Sequence, residues 1–209
     1  MSKLLSAIKQ NIEQAKAVEV SEMFKPISSG IYDAVITKFG LYTNNFDSTS
    51  MFLQVEIKID DEDEPRVLTM DKGVTLKDGK NNENTISTIS NVFGICGVAI
   101  KDAKTGKDTC KTWGKERDLE SFTDCYNKNV TAFVEETFED GSAYPKKNNL
   151  VGVFDKNGSN SDGVDQKEKF LKKIEETPVR IVKPKKSSNS ATTGTSSSPA
   201  NGANASRRL

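Results

Sequence analysis

Residues 51–65 read MFLQVEIKIDDEDEP. Met51, Leu53, Val55, Ile57 and Ile59 fall on one side of an extended chain, and Phe52, Gln54, Glu56 and Lys58 on the other. Strict alternation of this kind marks a strand with one buried face. Five acids, Asp60 to Glu64, then follow in a row, and Pro65 closes the run. Neighbouring residues of an extended chain point to opposite sides, so these five carboxylates cannot all converge on one metal ion. The run also lacks the alternate spacing and glycine of a calcium loop. Pro65 has no backbone N–H to give to a ladder, which suits the point where a chain re-enters a sheet. The reading is a solvated hairpin turn after a strand, with a weak divalent-ion loop and an acid-cluster nuclease as rivals.

Working outward, GIYDAVITKFGLYT before this stretch gives a β-branched and aromatic strand over about 31–38, and TNNFDSTS a polar connection. RVLTMDKGVTL after it gives a third strand, bent at Gly73. In NNENTISTISNVFGICGVAI the period changes. Ile86, Ile89, Val92 or Phe93, and Cys96 recur at helical spacing, which predicts a helix over about 84–97 capped at Asn84. Residues 101–118 are polar and rich in Gly and Lys, and read as a loop; DLESFTDCY reads as a helical turn. NKNVTAFVEETFED and NNLVGVFD are strands four and five, joined through EDGSAYPKKN. QKEKFLKKIEETP reads as a basic amphipathic helix or turn, and VRIVKPKK as a candidate last short strand. The expected fold is mainly β, a five-stranded barrel like the oligonucleotide/oligosaccharide-binding (OB) fold, with a helix between strands three and four. A β-sandwich is the competing arrangement. A parallel α/β sheet is excluded, because helices do not alternate with strands.

The 209 residues suit one domain with appendages, and an apolar fraction of 34% implies that part of the chain lies outside a packed core. At the start, Leu4, Leu5, Ile8, Ile12 and Ala15 form one helical stripe. The division is therefore an N-terminal helix over 1–22, the barrel domain over 23–182, and a disordered tail over 183–209. From Ser187 to Ser206 that tail holds only Ser, Asn, Ala, Thr, Gly and Pro, too little apolar surface to offset the entropy of ordering. The whole chain has net charge zero, but the tail has five bases and no acid, so residues 1–182 carry −5. A generally basic surface is excluded, and any polyanion must be met by a local groove or by the tail. No apolar run reaches the ~18 residues of a membrane span, and the N-terminus shows no cleavage-site pattern. A cytoplasmic protein is expected.

Histidine is absent, which removes His-based triads, bases and metal ligands. Cys96, Cys110 and Cys125 are too widely spaced for a zinc pair and read as free thiols in a reducing compartment. KDAKTGK at 101–107 fails the phosphate-loop pattern at both ends. No catalytic, metal-binding or cofactor-binding residue is expected, and the chain is read as a non-enzyme.

What remains is binding. Sequence-tolerant recognition of single strands needs bases along the phosphate track and aromatic platforms worth ~1–3 kcal/mol per stacked base. Phe52 projects opposite the apolar stripe of its strand, and Phe133 opposite Val130, Ala132 and Val134; each is either a half-exposed platform or buried under a loop or helix. Loops add Tyr42, Phe46, Trp113 and Tyr144. The basic candidates are Lys38, Lys58, Lys72, Lys77, Lys111, Lys115, Arg117, Lys128, Lys146 and Lys147. KTWGKER (111–117) and YPKKNN (144–149) each set an aromatic among bases. On an OB fold the first and last hairpin loops flank the binding face, which groups Tyr42 and Phe46 with Tyr144, Lys146 and Lys147.

Two stretches, SSGIYDAVITKFGLYTNNFDSTSMFLQVEI and NKNVTAFVEETFEDGSAYPKKNNLVGVF, resemble a phage family of single-stranded DNA-binding proteins, of which the T7-type protein is a distant relative. The first is similar to that family's opening: a small-residue turn, an aromatic at Tyr32, then two alternating strands around a polar gap. The second is similar to its ending, with Lys128 and residues 146–149 at matching places. The resemblance covers roughly 30–154, apart from about 101–120. It implies an OB fold and a protein that coats single-stranded DNA during replication, recombination and repair, with partners among the proteins of those processes and RNA as a competing ligand. The chain departs from the T7 type at its end, where Arg207-Arg208-Leu209 replaces an acidic tail with a terminal aromatic. The rival reading is a phage structural or replisome adaptor whose β-barrel binds protein.

Overall fold

The computed structural model describes residues 26–44, 47–59, 65–76, 78–112, 114–139 and 145–182, without the side chains of 44 and 47–49. The helix read over 1–22, the acid run, the tail from 183, and the candidates Phe46, Lys77, Trp113 and Tyr144 lie outside these residues. Among these residues there are eight strands and two α-helices: β1 Gly30–Asn44, β2 Asp47–Ile59, β3 Arg66–Gly73, α1 Glu83–Ile95, β4 Thr105–Thr112, β5 Lys115–Phe122, β6 Asn129–Glu139, β7 Lys146–Phe154, α2 Lys167–Glu176 and β8 Val179–Val182.

β1 organises the sheet because it is long enough to use different neighbours along its length. One edge pairs with β2 from Ala34 to Asn44. The other pairs with β6 from Gly30 to Val35, then with β5 at Gly40 and Leu41. β3 flanks β2, β4 flanks β5, and β7 flanks β6. All these pairs are antiparallel; β8 alone lies parallel, on β6 from Glu136 to Glu139. The chain is thus mainly β, as expected, but the sheet is open rather than a closed barrel. β3 and β7 approach one another, yet no ladder joins them among the described residues.

The alternation read from β2 holds. Leu53, Val55, Ile57 and Ile59 are buried in the main core with Ala34, Ile36 and Phe39 of β1. Ile36 and Phe39 both point inward because the register shifts between Ile36 and Lys38; such a bulge inverts the in–out parity. α1 caps this core with Val92 and Phe93, the Phe93 ring lying edge-on to Phe39 at 5.1 Å. Its N-cap is Asn82 rather than Asn84, and the Asn82 side chain bonds to the Gly73 carbonyl at 3.0 Å instead of capping the helix.

Other readings change as well. The polar stretch 101–118 is no loop: most of it belongs to the β4–β5 hairpin, which turns at Gly114 with φ +73°. For Phe133, read either as a half-exposed platform or as buried under a loop or helix, the structure decides for burial. Phe133 is 2% exposed, because α2 lays Phe170 against it at a ring distance of 4.6 Å while Phe154 packs at 4.2 Å. The amphipathic helix consumes the face that alternation left open on β6.

Candidate nucleic-acid interface

The outer face of β1, β2 and β3 is built by register. Lys38 lies opposite Glu56 and Tyr42 opposite Phe52; Phe52 then faces Gly73, Gln54 faces Asp71, and Lys58 faces Val67. In an OB arrangement this is the surface that receives a ligand. Here the β4–β5 hairpin folds across one end of it. Tyr42, Cys110 and Leu119 form a small second core with Phe52 packed against it. The Tyr42 and Phe52 rings stack at 5.5 Å and 16°.

Gly40 makes this approach possible. A Cβ there would meet the Glu120 carbonyl oxygen well inside van der Waals contact, and the Leu119 Cγ at 3.0 Å. The hairpin is further held by Lys38, whose Nζ donates to the Thr109 carbonyl at 2.8 Å. Beneath it the contacts are polar. Gln54 Nε2 donates to Asp71 Oδ1 at 3.1 Å, Tyr42 Oη to the same oxygen at 3.5 Å, and Arg117 Nε to Thr112 Oγ1 at 2.8 Å. Burial, then the Asp71 charge, pushes the Tyr42 hydroxyl up to about 12. Burial also raises the Asp71 carboxyl, while hydrogen bonds from Gln54 and Tyr42 oppose the shift.

This geometry separates the candidates. Lys38, Tyr42, Phe52, Lys111, Lys115 and Arg117 gather at the hairpin, but Tyr42 and Arg117 are buried there and offer no open surface. Phe52 is half-buried and keeps part of its ring in solvent. Lys111 and Lys115 flank the hairpin turn and are exposed. Lys146 and Lys147 sit elsewhere. β6 runs past Gly30, the start of β1, before turning into β7, so they lie at the opposite end of the sheet from Tyr42. There Lys147 pairs with Glu139 at 2.8 Å and Lys146 approaches Glu136 at 3.8 Å. Lys72 faces α1, donating to Thr88 Oγ1 at 3.2 Å, and burial lowers its pKa. Lys58 is half-buried near the far end of β2, and Lys128 is exposed beside the chain's entry to β6.

The structure adds residues that the sequence reading passed over. Lys101, Lys104 and Lys107 lead into Lys111 along β4 and the turn before it, and all four are exposed. Among the described residues β4 pairs with β5 alone, so this file follows an edge of the described sheet. Its signal was in the sequence as a lysine at every third or fourth position. Once the stretch was taken for a loop, the file had no geometry. Across the hairpin, Lys107 faces Glu120 and Lys111 faces Glu116, so each of these two lysines stands opposite an acid.

Among the described residues no cluster of three or more acids and thiols is arranged to hold a metal ion, and no helix is long and apolar enough to cross a membrane. No protein-family model matches the chain, and no curated protein matches it.

Proposed function

We propose that this chain binds single-stranded DNA without catalysis, through an OB-type domain bearing an inserted hairpin. The connectivity carries the reading. β1, β2, β3, α1, β6 and β7 follow one another with β1 laddered to both β2 and β6, and β6 to β7. That order suits an OB arrangement with its helix between the third and fourth strands, if β4–β5 is taken as an insertion after the helix. A bent first strand shared between two partners suits the same fold. The interface we assign is the rim of the hairpin: the lysine file from Lys101 to Lys111, Lys115, and the half-exposed Phe52 in the angle between hairpin and β2. Trp113, between Thr112 and Gly114 in the sequence, is the chain's only tryptophan. Coating of DNA in phage replication, recombination or repair, in the host cytoplasm, is the role this activity would serve.

Titration with oligo(dT) tests the reading. Trp113 fluorescence should be quenched, and the logarithm of affinity should fall with that of salt by about 0.7 per phosphate neutralised. Absence of binding at low salt, by both quenching and gel shift, overturns it. The adaptor reading would then stand, favoured by the opposite-charge pairs across the hairpin, which suit a protein surface better than a polyanion. RNA in place of DNA would appear as tighter binding of oligo(U).

A further inference from the structure

α2 and β8 leave apolar side chains in solvent. Leu171 is 48% exposed, Val179 38% and Ile181 74%. Leu171 and Val179, with Ile174 and Pro178, line a groove of about 450 Å³ whose rim carries Ser28, Ser29, Glu136 and Glu175. The groove is firmly built. Lys173 pairs with the buried Glu135, and Arg180 approaches the same carboxylate at 3.8 Å, tying α2 and β8 to β6. The Ser29 hydroxyl donates to the Pro178 carbonyl and accepts from the Glu136 N–H at 2.8 Å. Just before it, Ile27 is clamped to Asn148 by a pair of bonds at 3.0 and 2.7 Å. The main chain is therefore fixed at the rim, and 25 residues precede Pro26.

Those residues hold an occupant of the right chemistry. Leu4, Leu5, Ile8, Ile12 and Ala15 share one helical stripe, with Lys9 and Lys16 along one side of it. Seventeen helical residues span roughly 25 Å. The seven residues from 19 to 25 reach at most about 25 Å when extended. So short a tether keeps the stripe at high effective concentration beside the groove. The flanking lysines are also opposite in sign to the rim acids Glu136 and Glu175.

We propose that residues 2–18 seat their apolar stripe in this groove as a helix, so that α2 and β8 are covered by the chain's own N-terminus. The docking is independent of nucleic-acid binding. The test is amide hydrogen exchange on the full chain and on its Ile8→Asp variant. In the parent, 2–18 should be protected. In the variant, exchange in both 2–18 and 167–182 should accelerate tenfold or more, while β1–β3 are unchanged. Leu171→Asp, a change at a half-exposed position, should release 2–18 in the same way and decides the matter if Ile8→Asp does not fold. Gln14→Asp, on the polar side of the stripe, should change nothing. Unprotected exchange of 2–18 in the parent, or equal acceleration by Gln14→Asp, overturns the proposal. So does protection that grows with protein concentration, which would assign the groove to a second copy.

Discussion

At the scale of single residues, two positions under the hairpin carry opposite constraints. Gly40 is there for what it lacks. A methyl group would press on the backbone of Glu120, which cannot rotate away as a side chain can. Gly40→Ala should cost about 1–3 kcal/mol, the usual range for overpacking. It should also speed alkylation of Cys110, which is 1% exposed beneath the hairpin. A urea midpoint unchanged from the parent would contradict this contact. Asp71 is a cost rather than a support. Its folded-state pKa is raised by burial, so the folded protein holds this proton more tightly than the unfolded chain. The stabilising contribution is full below the unfolded value of 3.8 and is lost as pH rises through the raised value. Asp71→Asn, which keeps an acceptor for Gln54 and Tyr42, should therefore be the more stable protein at neutral pH, with the gap closing in acid. The gain is small, because the residue still reaches water. Tyr42 acts at the other end of the scale: pushed to about 12, it withdraws stability as pH climbs from 10 to 12. Urea midpoints of parent and Asp71→Asn at pH 4 and pH 7 check the sign, and a variant weaker at pH 7 would reverse the argument.

Among the elements, the hairpin is the hardest to read and matters most to the proposed interface. β2 was legible because its two faces meet different media, so apolar and polar residues alternate. β4 and β5 bury Cys110, Thr112, Arg117, Leu119 and Ser121 against a polar patch on β1 and β2. Of these inward positions only Cys110 and Leu119 are apolar, too few for an alternating signal, and the stretch reads as a loop. The burial of Phe133 is illegible for the converse reason. Alternation reports which residues share a face but not whether a distant helix, here α2, will cover it. The candidate site was legible in part: the hairpin rim was found through KTWGKER, whereas Lys101, Lys104 and Lys107 needed the strand to become a file. On the proposed function, Lys104→Glu, Lys107→Glu and Lys111→Glu together should weaken oligo(dT) binding at low salt at least tenfold and flatten the salt dependence. The same reversal at Lys146 and Lys147, already paired with Glu136 and Glu139, should do much less. Equal losses at both places would move the interface away from the hairpin.

For the whole molecule, charge sets the problem. Residues 1–182 carry −5 against +5 in the tail, so a polyanion meets mutual repulsion over most of the domain and attraction only along a narrow track. Five of the acids stand together from Asp60 to Glu64, joining β2 to β3 in the sequence. If the hairpin rim is the track, that run repels DNA from the β2–β3 end and confines the strand to the rim. Neutralising it as Asn and Gln should then raise affinity for oligo(dT) by several-fold at low salt, with the gain fading as salt shortens the reach of the field to about 8 Å at physiological strength. Removing residues 187–209, which takes away Arg207 and Arg208, should act in the opposite direction and lower the salt slope. The two changes separate repulsion from catalysis. An enzyme built on the acid run would lose magnesium-dependent cleavage when neutralised, whereas a binding protein gains affinity and has no cleavage to lose. A neutralised chain that binds no better, and whose parent cuts DNA in magnesium, would return the acid run to the status of an active site.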